Sequence, residues 1–225
     1  MATVADFVPY IIRITGALPE VFMQTYIRQA IADFMEDTHI ALDELYVSLD
    51  CNERDFMLDL PECRSLVRVK QVWEAPTNAE PLLNEDTWTM LTPEGMAHGR
   101  AYRFSAVHGG AGHGTYRVNR VGRNPNKAVI LSNSAKRQRD FCVVYAWKIP
   151  RESCEVPDFI LDDWLNAVVW RTMFYAHSSL DFEDRNATER GTNLALYDLE
   201  VARAKNMLRA DYTQSVIRLK TPRFY

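Results

Sequence analysis

The residues best suited to chemistry lie in one glycine-rich segment, His108-Gly109-Gly110-Ala111-Gly112-His113-Gly114. Glycine lets a backbone approach phosphate closely, and a histidine pair can bind a metal. A phosphate-binding loop, however, ends in Gly-Lys-Ser/Thr and runs into a helix, whereas residues 115–118 have the pattern of a strand. Histidines five residues apart in a loop also lack the i, i+4 spacing of a helical metal pair. The segment therefore predicts the tip of a β-hairpin rather than a cofactor loop.

No other set of residues predicts catalysis. The sequence has no Gly-x-Ser-x-Gly elbow. The acid pairs Asp162-Asp163 and Glu183-Asp184 stand where helices are expected to begin, so capping and the helix dipole explain them. The four cysteines form no Cys-x-x-Cys pair and are expected as free thiols in a reducing compartment. We expect no catalytic residue, metal ligand or cofactor, and an enzyme with an unrecognised site stays open as a rival.

Charge is divided unevenly along the chain. Residues 1–99 hold 17 acids and 6 basic residues, whereas residues 100–139 hold 9 basic residues and no acid. An uneven charge distribution of this kind affects which partners the protein binds, and it says little about the fold. The basic block 100–139 either coats a solvated face or docks on an acidic surface of a partner or of the next subunit. Because Tyr102 and Tyr116 can stack on bases, a nucleic-acid-binding module using this block is the alternative function, although the net charge of −4 is unlike that of a dedicated binder.

Residue spacing places helices towards both ends of the chain and strands between them. Phe22, Tyr26, Ala30, Ile31 and Phe34 predict a helix over 19–38. Alternating patterns predict a turn at Asn52-Glu53, a loop over 75–99, and strands at 42–49, 54–60, 66–73, 101–107, 114–121, 128–131 and 141–148. Two helices follow, one opening at Pro157 and one over 183–209.

The last helix carries a heptad seam. Its members are Ala187, Arg190, Leu194, Tyr197, Val201, Ala204 and Leu208. The seam suits antiparallel packing on the preceding helix, and a dimer zipper is the alternative. The fold class expected is α+β: a helical bundle from 1–40 and 151–210, an inserted antiparallel β-sheet or small barrel over 41–150, and an extended C-terminal arm over 211–225.

Residues 26–73 resemble the head–tail adaptor (connector) proteins of tailed phages. The resemblance rests on Phe34-Met35-Glu36-Asp37-Thr38 at a helix end, the acidic strand 42–49, the pair Leu60-Pro61 and the Val-rich strand 66–73. The resemblance extends to the C-terminal half of the chain. There it rests on two helices, one opening at Val156-Pro157-Asp158-Phe159-Ile160 and one over 186–209. Order and spacing carry the resemblance, since no single motif in it is strongly specific.

The resemblance implies a structural protein of the virion neck that is not an enzyme and is assembled in the host cytoplasm. Such adaptors form a ring, usually of twelve copies, between the portal protein and the tail, and double-stranded DNA passes through the lumen without sequence-specific contacts. The implied partners are other copies of the chain, the portal protein and a tail tube or nozzle protein, with no membrane.

The resemblance implies one group of contact residues, and the glycine-rich hairpin, which is not a feature of the family, suggests a second. In the family a C-terminal arm often reaches the portal, and here the portal-docking candidates in such an arm are Arg218, Lys220, Arg223, Phe224 and Tyr225. The β module of the family faces the tail. In the hairpin of this chain the candidates for inter-subunit or tail contacts are His108, Gly110, Gly112, His113, Arg117 and Arg120.

Overall fold

The described helices come from the two ends of the chain, and the two larger sheets come from its middle. A computed structural model describes residues 1–15, 20–75, 88–93, 115–120, 127–131, 138–179 and 187–217. Met1–Ala41 and Lys148–Tyr225 form one unit, and Leu42–Trp147 form another. The α+β class predicted from the sequence is confirmed. We refer to the two parts as the helical unit and the β unit.

The helical unit begins with a helix that was not predicted from the sequence, α1 (Val4–Thr15). Its start is capped because the backbone N–H and the hydroxyl of Thr3 both donate to Asp6 Oδ2, at 2.7 and 2.9 Å. Val4, Phe7, Val8 and Ile11 form its buried face. Pro9 interrupts the helical pattern in the sequence, which explains why this short helix was missed. Just before α1, strand β1 (Ala2–Thr3) pairs antiparallel with β10 (Glu155–Val156).

Helices α2 (Glu20–Thr38) and α3 (Asp158–Ser178) supply the centre of the unit. α2 matches the helix predicted over 19–38, and it ends where His39 adopts a φ of 57°. The aromatic rings of Phe34 and Trp164 lie 5.3 Å apart between the two helices, and both side chains are buried. Trp164 itself leaves helical geometry, with φ −124° and ψ 16°, so α3 is kinked at this packing contact.

Helix α4 (Ala187–Ile217) packs antiparallel on α3. His177 Nε2, near the end of α3, lies 3.3 Å from Glu189 Oε2, near the start of α4. Arg203, farther along α4, lies over the ring of Trp164, which is nearer the start of α3. Of the predicted seam, Tyr197, Val201 and Ala204 are buried, whereas Ala187 and Arg190 are exposed.

The expected bounds of this last helix were wrong at the C-terminal end. The helix continues through Ile217, so residues 211–217 do not form part of an extended arm. No glycine or proline follows Arg209 before Pro222, so the sequence contains no strong helix breaker where we placed the end of α4.

The β unit contains two four-stranded sheets. The first has the order β2–β9–β4–β5, formed by β2 (Leu42–Leu49), β9 (Arg139–Lys148), β4 (Ser65–Glu74) and β5 (Thr89–Met90). The second has the order β3–β8–β7–β6, formed by β3 (Asp55–Met57), β8 (Lys127–Leu131), β7 (Thr115–Arg120) and β6 (Thr92–Pro93). The neighbours β2–β9, β3–β8 and β7–β8 are antiparallel, whereas β6 and β7 are parallel.

One apolar core serves both sheets. Val69 and Val143 of the first sheet belong to the same buried cluster as Val129 of the second. The stacked rings of Phe56 and Phe141, with centroids 5.8 Å apart, join the sheets directly. The strand predicted over 54–60 is shorter in the structure, and the strand predicted over 101–107 lies outside the described residues.

Candidate functional surfaces

The sequence-predicted contact residues fall mostly outside the part of the chain that the structure describes. This holds for all five arm residues, Arg218, Lys220, Arg223, Phe224 and Tyr225, and for the hairpin residues His108, Gly110, Gly112 and His113. Arg117 is described: it is exposed on β7, opposite Ile130 of β8. The backbone of Arg120 pairs with that of Lys127, so two basic positions are neighbours across the end of this strand pair.

The C-terminal end of α4 runs past the start of α3. Trp164 lies six residues after the first residue of α3, and Arg203 contacts it from α4. Because the helices are antiparallel, α4 draws level with the start of α3 about six residues beyond Arg203. The backbone of residues 210–217 therefore extends about 12 Å farther, at roughly 1.5 Å per residue. This helical projection leads directly into the basic and aromatic sequence 218–225.

A polar network of α2, α3 and α4 is centred on Asp33. Arg171 donates to Asp33 Oδ2 from Nε at 3.2 Å and from Nη2 at 2.9 Å, and the hydroxyl of Tyr175 donates to the same oxygen. Gln29 Nε2 donates to Asp33 Oδ1 at 2.6 Å. The Arg171 guanidinium lies 5.0 Å from the ring centre of Tyr175 and 4.8 Å from that of Tyr197.

The same network sets the charge states of its members. Burial and the hydrogen bond to Asp33 raise the pKa of Tyr175 to about 12. Burial, followed by a 2.8 Å hydrogen bond to Asp37, raises the pKa of Tyr197. Burial lowers the pKa of Arg171, but the Asp33 contact and neighbouring charges outweigh that effect. At neutral pH both phenols are therefore donors, Tyr175 to Asp33 and Tyr197 to Asp37, and Arg171 is a cation beside Asp33.

This arrangement is better suited to holding the three helices together than to catalysis. Both oxygens of Asp33 already accept hydrogen bonds from the protein, so no general base is presented to a substrate. We did not single out these residues from the sequence. A signal was available, because Arg171 is the one Lys or Arg in α3 and is surrounded there by apolar residues.

An exposed aromatic pair marks the outer face of the first β-sheet. Tyr46 on β2 is 50% exposed, and its ring meets that of Trp88, just before β5, edge-on at 6.1 Å. The Tyr46 hydroxyl donates to Glu44 Oε2 at 3.0 Å, and this hydrogen bond raises the pKa of the phenol. The ring of Tyr46 and the ring of Trp88 thus meet and leave an aromatic surface in contact with solvent.

Within the described ranges, no cluster of three or more His, Cys, Asp or Glu side chains is arranged to hold a metal ion. None of the described helices has the length and apolar character needed to cross a membrane. No protein-family model and no curated protein sequence matches the chain.

Proposed function

We propose that this chain is a structural head–tail adaptor of a tailed phage. In this role copies form a ring between the portal and the tail, and double-stranded DNA passes through the lumen without sequence-specific binding. The sequence resemblance supports the proposal through the order of its elements, a helix, an acidic strand, a Leu-Pro pair and two closing helices.

The observation that carries the proposal furthest is the course of α4. Residues 210–217 project beyond α3, and the next eight residues include three cations, two aromatic side chains and no acid. In this proposal the helical projection of residues 210–217 carries the segment 218–225 to another protein. Residues 218–225 are accordingly the proposed portal-docking segment, with Arg218, Lys220, Arg223, Phe224 and Tyr225 as its anchors. Basic side chains at this position favour an acidic groove on the partner.

The tail contact in this proposal belongs to the β unit. Tyr46 and Met90 are each 50% exposed and Met57 is 45% exposed. Aromatic and methionine side chains are typical of the centres of protein interfaces. The proposed polar tail contacts are those of the hairpin candidates around residues 108–114 and of the exposed Arg117.

The proposal is tested by negative-stain imaging of the full chain mixed with the portal protein of the same virus. We expect portal discs to gain a collar of added density. A deletion of residues 218–225 should abolish the collar, because it removes the docking segment and leaves α4 intact. A full-length variant with Arg218, Lys220 and Arg223 replaced by glutamine is the matched control that separates loss of charge from loss of length.

Each outcome decides a different point. A collar that survives the deletion supports the adaptor role and rejects the docking segment. Bare discs at high protein concentration reject the adaptor role. In that case binding to DNA that weakens steeply with salt would favour the nucleic-acid alternative that uses residues 100–139.

A further inference from the structure

The outer face of the first β-sheet carries four large side chains, those of Tyr46, Trp73, Trp88 and Met90. Trp73 of β4 lies opposite Met90 of β5. Because Val72 belongs to the buried core, the next residue, Trp73, points to the other side of β4. Trp88 stands two residues before Met90 and contacts the ring of Tyr46, so the four side chains are neighbours. Aromatic and methionine side chains that stay exposed together are typical of a surface that binds another molecule.

Two of these rings form a corner. The rings of Tyr46 and Trp88 meet almost at a right angle, with an interplanar angle of 85°. The face of an aromatic ring attracts a cation, and perpendicular rings can contact one cation from two sides. The hydroxyl of Tyr46 donates to Glu44 Oε2 at 3.0 Å, which places a carboxylate beside the corner. Ring faces next to a carboxylate are suited to an ammonium or guanidinium group.

Two carboxylates on this face have only hydroxyl groups as side-chain partners. Glu44 accepts from the hydroxyl of Tyr46, and Asp140 of β9 accepts from the hydroxyl of Ser48. Within the ranges that the structure describes, the ion pairs of Lys and Arg side chains are made with other acids. Glu44 and Asp140 therefore keep a negative charge that a cation of a partner can neutralise.

The register of β2 and β9 sets the separation of these two acids. Asp140 lies opposite Ser48, which is four residues along β2 from Glu44. Four residues of a strand span about 13 Å, at roughly 3.3 Å per residue. Tyr46 lies midway between the two positions. An extended segment with basic side chains four residues apart would therefore reach both carboxylates and place its middle residue over the Tyr46 ring.

Charge decides which class of macromolecule this face fits. A nucleic acid could stack its bases on the rings, but its phosphates would be repelled by Glu44 and Asp140. A protein segment with Arg or Lys side chains gains attraction both from the carboxylates and from the ring faces. The face therefore favours a basic protein segment over a nucleic acid.

We propose that the outer face of the first β-sheet binds a basic segment of a partner protein. One Arg or Lys side chain of that segment lies against the Tyr46–Trp88 pair and Glu44, and a second lies beside Asp140. This inference deepens the proposed function, in which the β unit contacts the tail, and it rests on that function for the partner's place on the tail side.

The test measures binding of a fluorescein-labelled peptide, Gly-Arg-Val-Ser-Val-Arg-Gly, to the full chain by fluorescence anisotropy. The matched probe has citrulline in place of both arginines, which keeps the shape of the side chains and removes their charge. Glu44→Gln and Tyr46→Leu each remove one part of the face. Asp59→Asn is the control variant, because it removes one exposed acid of the β unit that lies outside the first sheet.

We expect the arginine peptide to bind about tenfold more tightly than the citrulline peptide, since two exposed ion pairs and one cation–π contact act together. Glu44→Gln and Tyr46→Leu should each weaken binding about threefold or more, whereas Asp59→Asn should leave it nearly unchanged. Glu44→Gln keeps the size of the side chain, and circular dichroism of each variant checks that its fold is retained.

Three outcomes overturn the inference. Equal binding of the two peptides would show that the face does not select a basic partner. An equal loss in Asp59→Asn and Glu44→Gln would show only general attraction to an acidic protein. Self-association of the unmodified chain in sedimentation that is lost in Tyr46→Leu would identify a second copy as the occupant.

Imaging with the portal separates this inference from the proposed function. Collars on portal discs, together with equal binding of the two peptides, support the adaptor role and reject the basic partner. Selective binding of the arginine peptide that depends on Tyr46 and Glu44, together with bare discs, supports the binding face and rejects the adaptor role.

Discussion

The guanidinium of Arg203 lies 5.1 Å from the centre of the Trp164 ring, where α4 crosses the kink of α3. Trp164 is 2% exposed and the Arg203 side chain is 66% exposed, so the contact covers the outer edge of the core and keeps the guanidinium at the surface, where it also pairs with Glu200 at 3.3 Å. Together with the His177–Glu189 contact it shows how the antiparallel pair is aligned, and the projection of residues 210–217 follows from that alignment.

Replacing Arg203 with alanine should lower the free energy of unfolding by about 0.5–1 kcal/mol, because an exposed cation–π contact is worth that much. Chemical denaturation measures the change. Lys205→Ala, an exposed cation two residues away, is the control and should be nearly neutral. Equal losses in both variants would show that the ring contact contributes nothing specific.

Replacing Arg171 with methionine should cost more, about 3 kcal/mol, because it leaves the carboxylate of Asp33 partly buried without its cation. Adding Asp33→Asn to that variant should recover part of the loss, since the uncompensated charge is then removed. A double-mutant cycle by denaturation measures this coupling. Strictly additive losses would mean that the Arg171–Asp33 pair does not act as a unit.

The regular elements of this chain were predictable where local pattern and tertiary packing agree. The helix over 19–38 and the strand over 42–49 agree closely with α2 and β2, since their apolar residues recur with one clear period. Asn52, placed in a turn from its sequence context, adopts a φ of 70°.

Other features depend on information that is not local. Helix α1 was not predicted because Pro9 interrupts its helical sequence pattern. The sequence does contain the capping pair Thr3 and Asp6 at the start of this helix. The Asp33–Arg171 network was not predicted because its partners are 138 residues apart, and nothing in the spacing of either helix indicates the other. The arm contacts remain predictions from the resemblance, and most of the hairpin contacts remain predictions from the glycine-rich sequence.

The stacked pair Phe56 and Phe141 gives a prediction for the β unit. Phe141→Ala should lower the free energy of unfolding by about 3–5 kcal/mol, because it opens a cavity in the core that both sheets share. Phe141→Leu keeps most of the volume and should lose less than half as much. Thermal denaturation compares the two. A small loss in both variants would mean that the sheets repack without this ring.

The tyrosines of the polar network predict loss of stability in alkali. Tyr175 has its pKa raised to about 12, against an ordinary value of 10.0. A phenol whose pKa is higher in the folded state binds its proton more tightly there, so its contribution is fully present below pH 10 and is lost as pH rises towards 12. Denaturation between pH 9 and about 12 should therefore show falling stability, with Tyr197 acting in the same direction because its pKa is also raised.

The Tyr175→Phe variant should be less stable at pH 8 but should show a shallower fall, because it has no phenol to titrate at this position. An identical slope in both proteins would exclude Tyr175 as a source of the pH dependence.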